Sequence, residues 1–193
     1  EDELVEEIRA AHAAQRGMAF HCVTRTELVL ALAALETAGS SPLASTGTGR
    51  ANASAAGLEN VHFHDVRQEP LPADGSFGFV TSFDCLHDMP DPVSVIESIH
   101  GALAEDGVWL ISDIKAQDGY EANVAHNPMA ALMYGTSVLT CMSSALSEPG
   151  GLGLGTLGLH EQLARQLAAE AGFASFERLE LDHPVNAFYV VRP

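Results

Sequence analysis

A histidine and an aspartate, His87-Asp88, stand just beyond a stretch that reads as a buried strand, Phe77 to Phe83. The intervening residues are Asp84-Cys85-Leu86. In an open α/β sheet ligands bind outside the carboxyl ends of the strands, so this short run marks a candidate site. Imidazole titrates near neutrality, which suits His87 to taking up a proton during a reaction. A second group, His62-x-His64-Asp65, puts two imidazoles on one side of an extended segment, and with His87-Asp88 it has the donors of a metal site. Alternating with Val61 and Phe63, those histidines read more simply as the exposed face of a strand. Cys22, Cys85 and Cys141 follow no metal spacing, and an odd count reads as reduced thiols in a cytoplasmic protein. Cys85 beside the site reads as a small buried hydrophobe. Ser82, Ser112 and Ser143 lie in no Gly-x-Ser-x-Gly elbow, which argues against serine hydrolysis.

The elements that must position these groups follow from periodicity. Residues 1–16 have a helical pattern, Met18 to Val23 reads as a short strand, and Glu27 to Glu36 as an Ala/Leu-rich helix. Residues 39–49 are loop by composition, and Arg50 to Ala56 make one or two helical turns ended by Gly57. Beyond the Val61–Phe63 strand, Phe77 to Phe83 is a second strand. Pro92 to Ala104 is a helix with Pro92 in its first turn and Val93, Ile96, Ile99 and Leu103 as its apolar stripe. Val108 to Ile114 fits a buried parallel strand. A helix is expected around Met129–Leu146. There Met129, Leu132, Met133, Tyr134, Leu139 and Met142 read either as an apolar substrate pocket or as ordinary packing. Gly150-Gly151-Leu152-Gly153-Leu154-Gly155-Thr156 looks like a nucleotide loop, but no strand leads into it. It reads as a mobile loop, with a substrate lid as the less favoured role. His160 to Ala171 is a helix, and Phe176–Leu181 and Ala187–Val191 are closing strands. Strand–helix–strand alternation ending in a strand pair predicts an α/β, doubly wound, Rossmann-like fold, with a mainly parallel sheet and an antiparallel C-terminal strand.

The chain has 193 residues, 47% of them hydrophobic, which suits a single domain over residues 1–193. Its net charge is −17, from 26 acidic against 9 basic residues, and Lys115 is its one lysine. Such a surface repels phosphate backbones and anionic lipid, so neither nucleic acid nor membrane is an expected partner. No apolar run approaches the roughly 18–20 residues of a membrane span. The acidic Glu1-Asp2-Glu3 start is unlike a signal peptide.

From Ala51 to Arg192 the sequence resembles class I S-adenosylmethionine-dependent methyltransferases, in particular the bacterial type that usually carries an N-terminal winged-helix domain. The resemblance is carried by AGLENVHFHD, LPADGSFGFVTSFDCLHDMPDP, IHGALAEDGVWLISDI, GGLGLGT and AAEAGFASFERLEL, taken in order. It implies S-adenosylmethionine as cofactor and a small molecule as substrate, with a homodimer left open. By position it implies that Asp65, followed by Val66, contacts the adenine. Ser82, Phe83 and Asp84 would lie under the methionine part, and Asp113 would face the substrate. Leu86-His87-Asp88-Met89-Pro90-Asp91 is similar to the Leu-His-Asp-Trp-x-Asp motif of O-methyltransferases, which implies that His87 is the general base and Asp88 an orienting partner.

Two of that family's features are missing from residues 1–50. The first strand should run into a turn like Asp-x-Gly-Cys-Gly-x-Gly, whose glycines let the backbone approach the cofactor. Thr24-Arg25-Thr26-Glu27 follows Met18–Val23 without a glycine, and Thr46-Gly47-Thr48-Gly49 comes too late in the chain. No acidic residue closes a second strand to bind the ribose. Three explanations stay open: loss of cofactor binding, a degenerate turn, or a frameshifted stretch over 17–50. The alternative to an enzyme is a non-catalytic methyltransferase-like binding domain.

Overall fold

The computed structural model describes residues 17–22, 54–55, 57 and 70–193. The expected helices at 1–16 and Glu27–Glu36, the 39–49 loop and the Val61–Phe63 strand lie outside the described residues. So do the candidates Asp65 and Val66.

Five strands form one sheet in the order β1-β2-β3-β5-β4. Strand β1 is Gly17–Cys22, β2 is Phe77–Phe83 and β3 is Leu103–Ile114; β4 is Ser175–Leu179 and β5 is Asn186–Arg192. Strands β1, β2 and β3 are mutually parallel, and β5 runs antiparallel to both β3 and β4. This is the mainly parallel, Rossmann-like sheet expected from the sequence. Its C-terminal strand β5 is inserted antiparallel between β3 and β4. Register places Cys22 opposite Phe83 and Phe83 opposite Ser112, so the carboxyl ends of the three parallel strands come out level.

Helix α1, Pro92–Ala102, connects β2 to β3. Its start is fixed by Pro92 in the first turn and by Asp91 as N-cap, whose carboxylate accepts from the Ser94 amide at 3.0 Å. Ile96 and Ile99 from its stripe are buried against the sheet. The helix stops at Ala102, two residues before the expected Ala104, because Leu103 already pairs with Phe77. The next pair is Phe79 with Val108, so residues 104–107 loop out of the ladder. Gly107 permits this excursion: a Cβ there would stand 2.8 Å from Leu103 Cδ2 and 2.9 Å from the Ala104 carbonyl oxygen.

The core is built around Trp109, which is fully buried, packs on Phe173 and donates its indole N–H to Ser82 Oγ at 3.0 Å. The segment after β3 departs from expectation. Helix α2, Tyr120–His126, was not anticipated; buried Asn123 ties it down by bonding the Gln117 and Gly119 backbone. The single helix expected at Met129–Leu146 is two, α3 (Ala130–Leu139) and α4 (Cys141–Ala145), interrupted at Thr140. Gly135 and the β-branched Thr136, Val138 and Thr140 are weak helix formers, and both threonine hydroxyls bond back to carbonyls four residues earlier. Met129, Leu132 and Leu139 are exposed. Helix α5, Glu161–Glu170, packs Ala164, Leu167 and Ala168 into the core, and its Glu161 pairs with Arg165 and Arg178. Among the described residues no helix is long and apolar enough to cross a membrane.

Candidate functional site

The site forms where β2 ends. Asp84 takes a left-handed backbone, φ 46°, which turns the chain out of the sheet. That conformation is uncommon outside glycine but least costly for Asp and Asn. Its amide donates to the Ser112 carbonyl at 2.8 Å, and its carboxylate accepts from Asn186 Nδ2 at 2.6 Å. A short 3₁₀ turn, Leu86–Asp88, follows, anchored by Leu86, which is buried in the core. Leu86 inside and His87 next to it at the strand ends leave the imidazole beside the carboxyl end of β3.

There His87 Nδ1 lies 2.6 Å from Asp113 Oδ1. His87 is 3% exposed and Asp113 2%, so this is a buried pair. The same Asp113 oxygen accepts from the Ile114 amide at 2.8 Å, which holds the carboxylate still. On the other side of the ring, Nε2 is 3.3 Å from Asp88 Oδ1 and 3.7 Å from Cys141 Sγ. Asp88 therefore does face the imidazole, across the nitrogen opposite to the one held by Asp113. Burial by itself lowers the His87 pKa and is the largest single effect. The Asp113 hydrogen bond and charge, the Asp88 charge and the Cys141 contact act together against it and push the value up to about 10. The resting ring is therefore an imidazolium at neutral pH, donating to Asp113.

The Gly-rich loop is built into this site. Gly155 N–H donates to the His87 carbonyl at 3.1 Å, and Leu152 N–H donates to the Pro90 carbonyl at 2.9 Å. Thr156 Oγ1 is 2.9 Å from Cys141 Sγ, and the Thr156 amide donates to Ser137 Oγ at 3.0 Å. Helices α3 and α4 and this loop together cover His87.

Of the sequence candidates, the structure brings His87 and Asp88 together and sets Phe83 and Asp84 at the adjoining strand end. The Ser82 side chain is buried and engaged with Trp109, and the Asp84 carboxylate is engaged with Asn186. Three contributors to the site were not assigned their places from sequence: Asp113 as the imidazole's partner, Cys141 and Thr156. A lone carboxylate in the apolar run Val108–Ile114 was a signal for the first, since a buried charge needs a partner. Nothing in the sequence links Cys141 to a histidine 54 residues away.

The sequence model of a family described as a methyltransferase domain matches residues 12–152. No curated protein matches the chain. Among solved structures, TnmH is similar with a TM-score of 0.63 at 16% identity, over 98% of this chain and 53% of its own. An O-methyltransferase family protein from Burkholderia thailandensis gives 0.59 at 17% identity, over 99% and 55%. PigF with SAH gives 0.59 at 17% identity, over 96% and 53%. The chain thus spans about half the length of these proteins.

Proposed function

Because this chain belongs to the methyltransferase-domain family, whose methyl donor is S-adenosylmethionine, we propose that it methylates the hydroxyl of a small molecule, with His87 taking the hydroxyl proton. The supporting observation is the 2.6 Å bond between His87 Nδ1 and buried Asp113. An imidazole held through Nδ1 by a carboxylate has its tautomer and orientation fixed, with Nε2 turned to the acceptor side. Asp113 acts through His87 and is a positioning residue. The acceptor hydroxyl takes the place beside Nε2 now lined by Asp88 and Cys141, under the cover of α3, α4 and the Gly-rich loop.

S-Adenosylmethionine, when bound, supplies an electrophilic methyl group on a sulfonium sulfur. The described residues fit its reactive end. Strands β1, β2 and β3 finish level, apolar Phe83 lies across from Cys22, and Asp84 turns the chain aside. We assign Ser82, Phe83 and Asp84 to the methionine side, Ser82 and Asp84 through their backbone. Asp65 and Val66 are assigned to the adenine side. The acidic surface agrees with a small, uncharged or cationic acceptor.

Titration calorimetry with S-adenosylhomocysteine tests the reading first. Binding by the folded chain is expected; none at millimolar ligand overturns it. His87→Ala should then lower turnover on the order of 10²–10⁴-fold while cofactor affinity stays nearly constant. Unchanged turnover rejects His87 as the base. A second reading, a non-catalytic binding domain, is favoured by one feature: the sequence that follows β1, Thr24-Arg25-Thr26-Glu27, has no glycine. The same titration separates the two.

A further inference from the structure

Three atoms of different chemistry converge on the outer side of the His87 ring. His87 Nε2, a carboxylate oxygen of Asp88 and Cys141 Sγ all lie within 4.8 Å of one another. Tetrahedral zinc binds nitrogen and oxygen at about 2.0–2.2 Å and sulfur at about 2.3 Å, so its ligand atoms sit about 3.3 Å (N to O) and about 3.6 Å (N to S) apart. The observed separations are 3.3 Å for Nε2 to Asp88 Oδ1 and 3.7 Å for Nε2 to Cys141 Sγ. Two edges of a tetrahedral site are thus at their working lengths; the third, from the Asp88 oxygen to Cys141 Sγ, lies within 4.8 Å and closes to about 3.6 Å by rotation of these partly buried side chains when the metal binds.

A second observation points the same way. Asp88 Oδ1 is buried and makes no hydrogen bond; its one charged neighbour is the His87 ring, with Nε2 at 3.3 Å. Two ligand atoms on neighbouring corners of a coordination site have this relation: close, but not bonded to each other as donor and acceptor. Once Nε2 gives up its proton, that carboxylate oxygen loses its only charged neighbour and is costly to keep buried unless a cation binds it. The far side of the ring is also prepared. A metal-ligating histidine almost always donates its other N–H to a carboxylate, and Nδ1 has Asp113 at 2.6 Å. Behind the sulfur, Thr156 Oγ1 at 2.9 Å can donate to a thiolate.

We propose that His87, Asp88 and Cys141 form a binding site for a divalent transition metal of the zinc class. Three protein ligands leave the fourth tetrahedral position to water, the pattern of an open rather than a purely structural site. A mixed nitrogen, oxygen and sulfur set selects zinc or cobalt over magnesium and calcium, which take oxygen ligands. Metal reaches the site past Asp88 and Cys141, both only partly buried. Binding replaces the thiol proton of Cys141 and any proton on Nε2, and both pass to solvent. Nε2 then holds either a metal or an acceptor's proton, so the metal is an inhibitor of hydroxyl methylation by His87.

Cobalt(II) added to chelator-treated full chain tests the site without an activity assay. About one equivalent should bind, with the visible bands of tetrahedral cobalt and a thiolate-to-cobalt charge-transfer band. Zinc should erase both, and magnesium should not. Cys141→Ser should lose the charge-transfer band, and Asp113→Asn should keep the bands but weaken affinity by about 10–100-fold. Absence of tetrahedral bands in the wild-type chain at millimolar cobalt overturns the proposal. So does a charge-transfer band that survives Cys141→Ser, which would place the metal on Cys22 or Cys85. Cofactor titration in the presence of chelator is independent of these outcomes, so failure of the metal site and failure of the methyltransferase reading remain distinguishable.

Discussion

At the scale of single residues, the basicity of His87 decides what the site can do and when. With its pKa near 10, only about a thousandth of the free imidazole is neutral at pH 7. A base of that strength matches a phenol, whose own pKa is near 10, but it must first lose its proton to solvent. The kcat/KM for hydroxyl methylation should therefore rise with pH from neutrality and level off near pH 10. Asp113→Asn removes the charge and weakens the bond that raise the pKa. Its profile should level off at lower pH, with a reduced plateau because the ring is no longer held. A wild-type profile that is flat between about pH 7 and pH 9 would sink the assignment of His87 as base. His87 itself was legible in the sequence as an imidazole after a strand. Its electrostatic setting was not, because Asp113 and Cys141 arrive through strand register and a helix break, neither of which is a local property.

At the scale of elements, the Gly-rich loop and the His87 turn form one unit. Gly155 has φ 67°, and a Cβ there would stand 2.6 Å from Ser137 Oγ and 2.8 Å from Met142 Sδ. Gly155→Ala should destabilise the fold by on the order of 1–3 kcal/mol and lower turnover further, since its amide donates to the His87 carbonyl. Chemical denaturation beside an activity assay checks both, and a fully active variant of wild-type stability would show that the loop is not part of the site. Strand β2 and helix α1 were readable almost to the residue, since alternation, Asp91 and Pro92 specify them locally. The loop's place against His87 was not legible because composition speaks for glycine's freedom and says nothing of the hydrogen bonds from Gly155 and Leu152. The helix break at Thr140 was missed for a related reason: a continuous apolar stretch hides weak helix formers.

At the scale of the whole molecule, the buried His87–Asp113 pair links stability to pH. The folded pKa of His87 lies above its unfolded value of about 6.5, so its contribution is fully present below that value and is lost as pH rises through about 10. Urea unfolding should show stability falling between about pH 7 and pH 10, with a shallower fall in His87→Gln. Repulsion among the 26 acidic residues also weakens the fold, but it is screened by salt, whereas the buried pair is not. An unchanged pH slope in His87→Gln would assign the effect to surface charge alone.

The clasp between Asn186 and Asp84 carries a consequence for how the molecule comes into being. These residues are separated by 102 positions, and Asn186 also donates to Ser112 Oγ at 3.2 Å. Everything from β2 to β3 can pair through short connections, but the end of β2 gains this partner only when β5 enters between β3 and β4. Contacts so distant in sequence form late, because the chain between them must first be ordered. A growing chain therefore holds His87, Asp88 and Asp113 well before Asn186 can secure the strand end beside them.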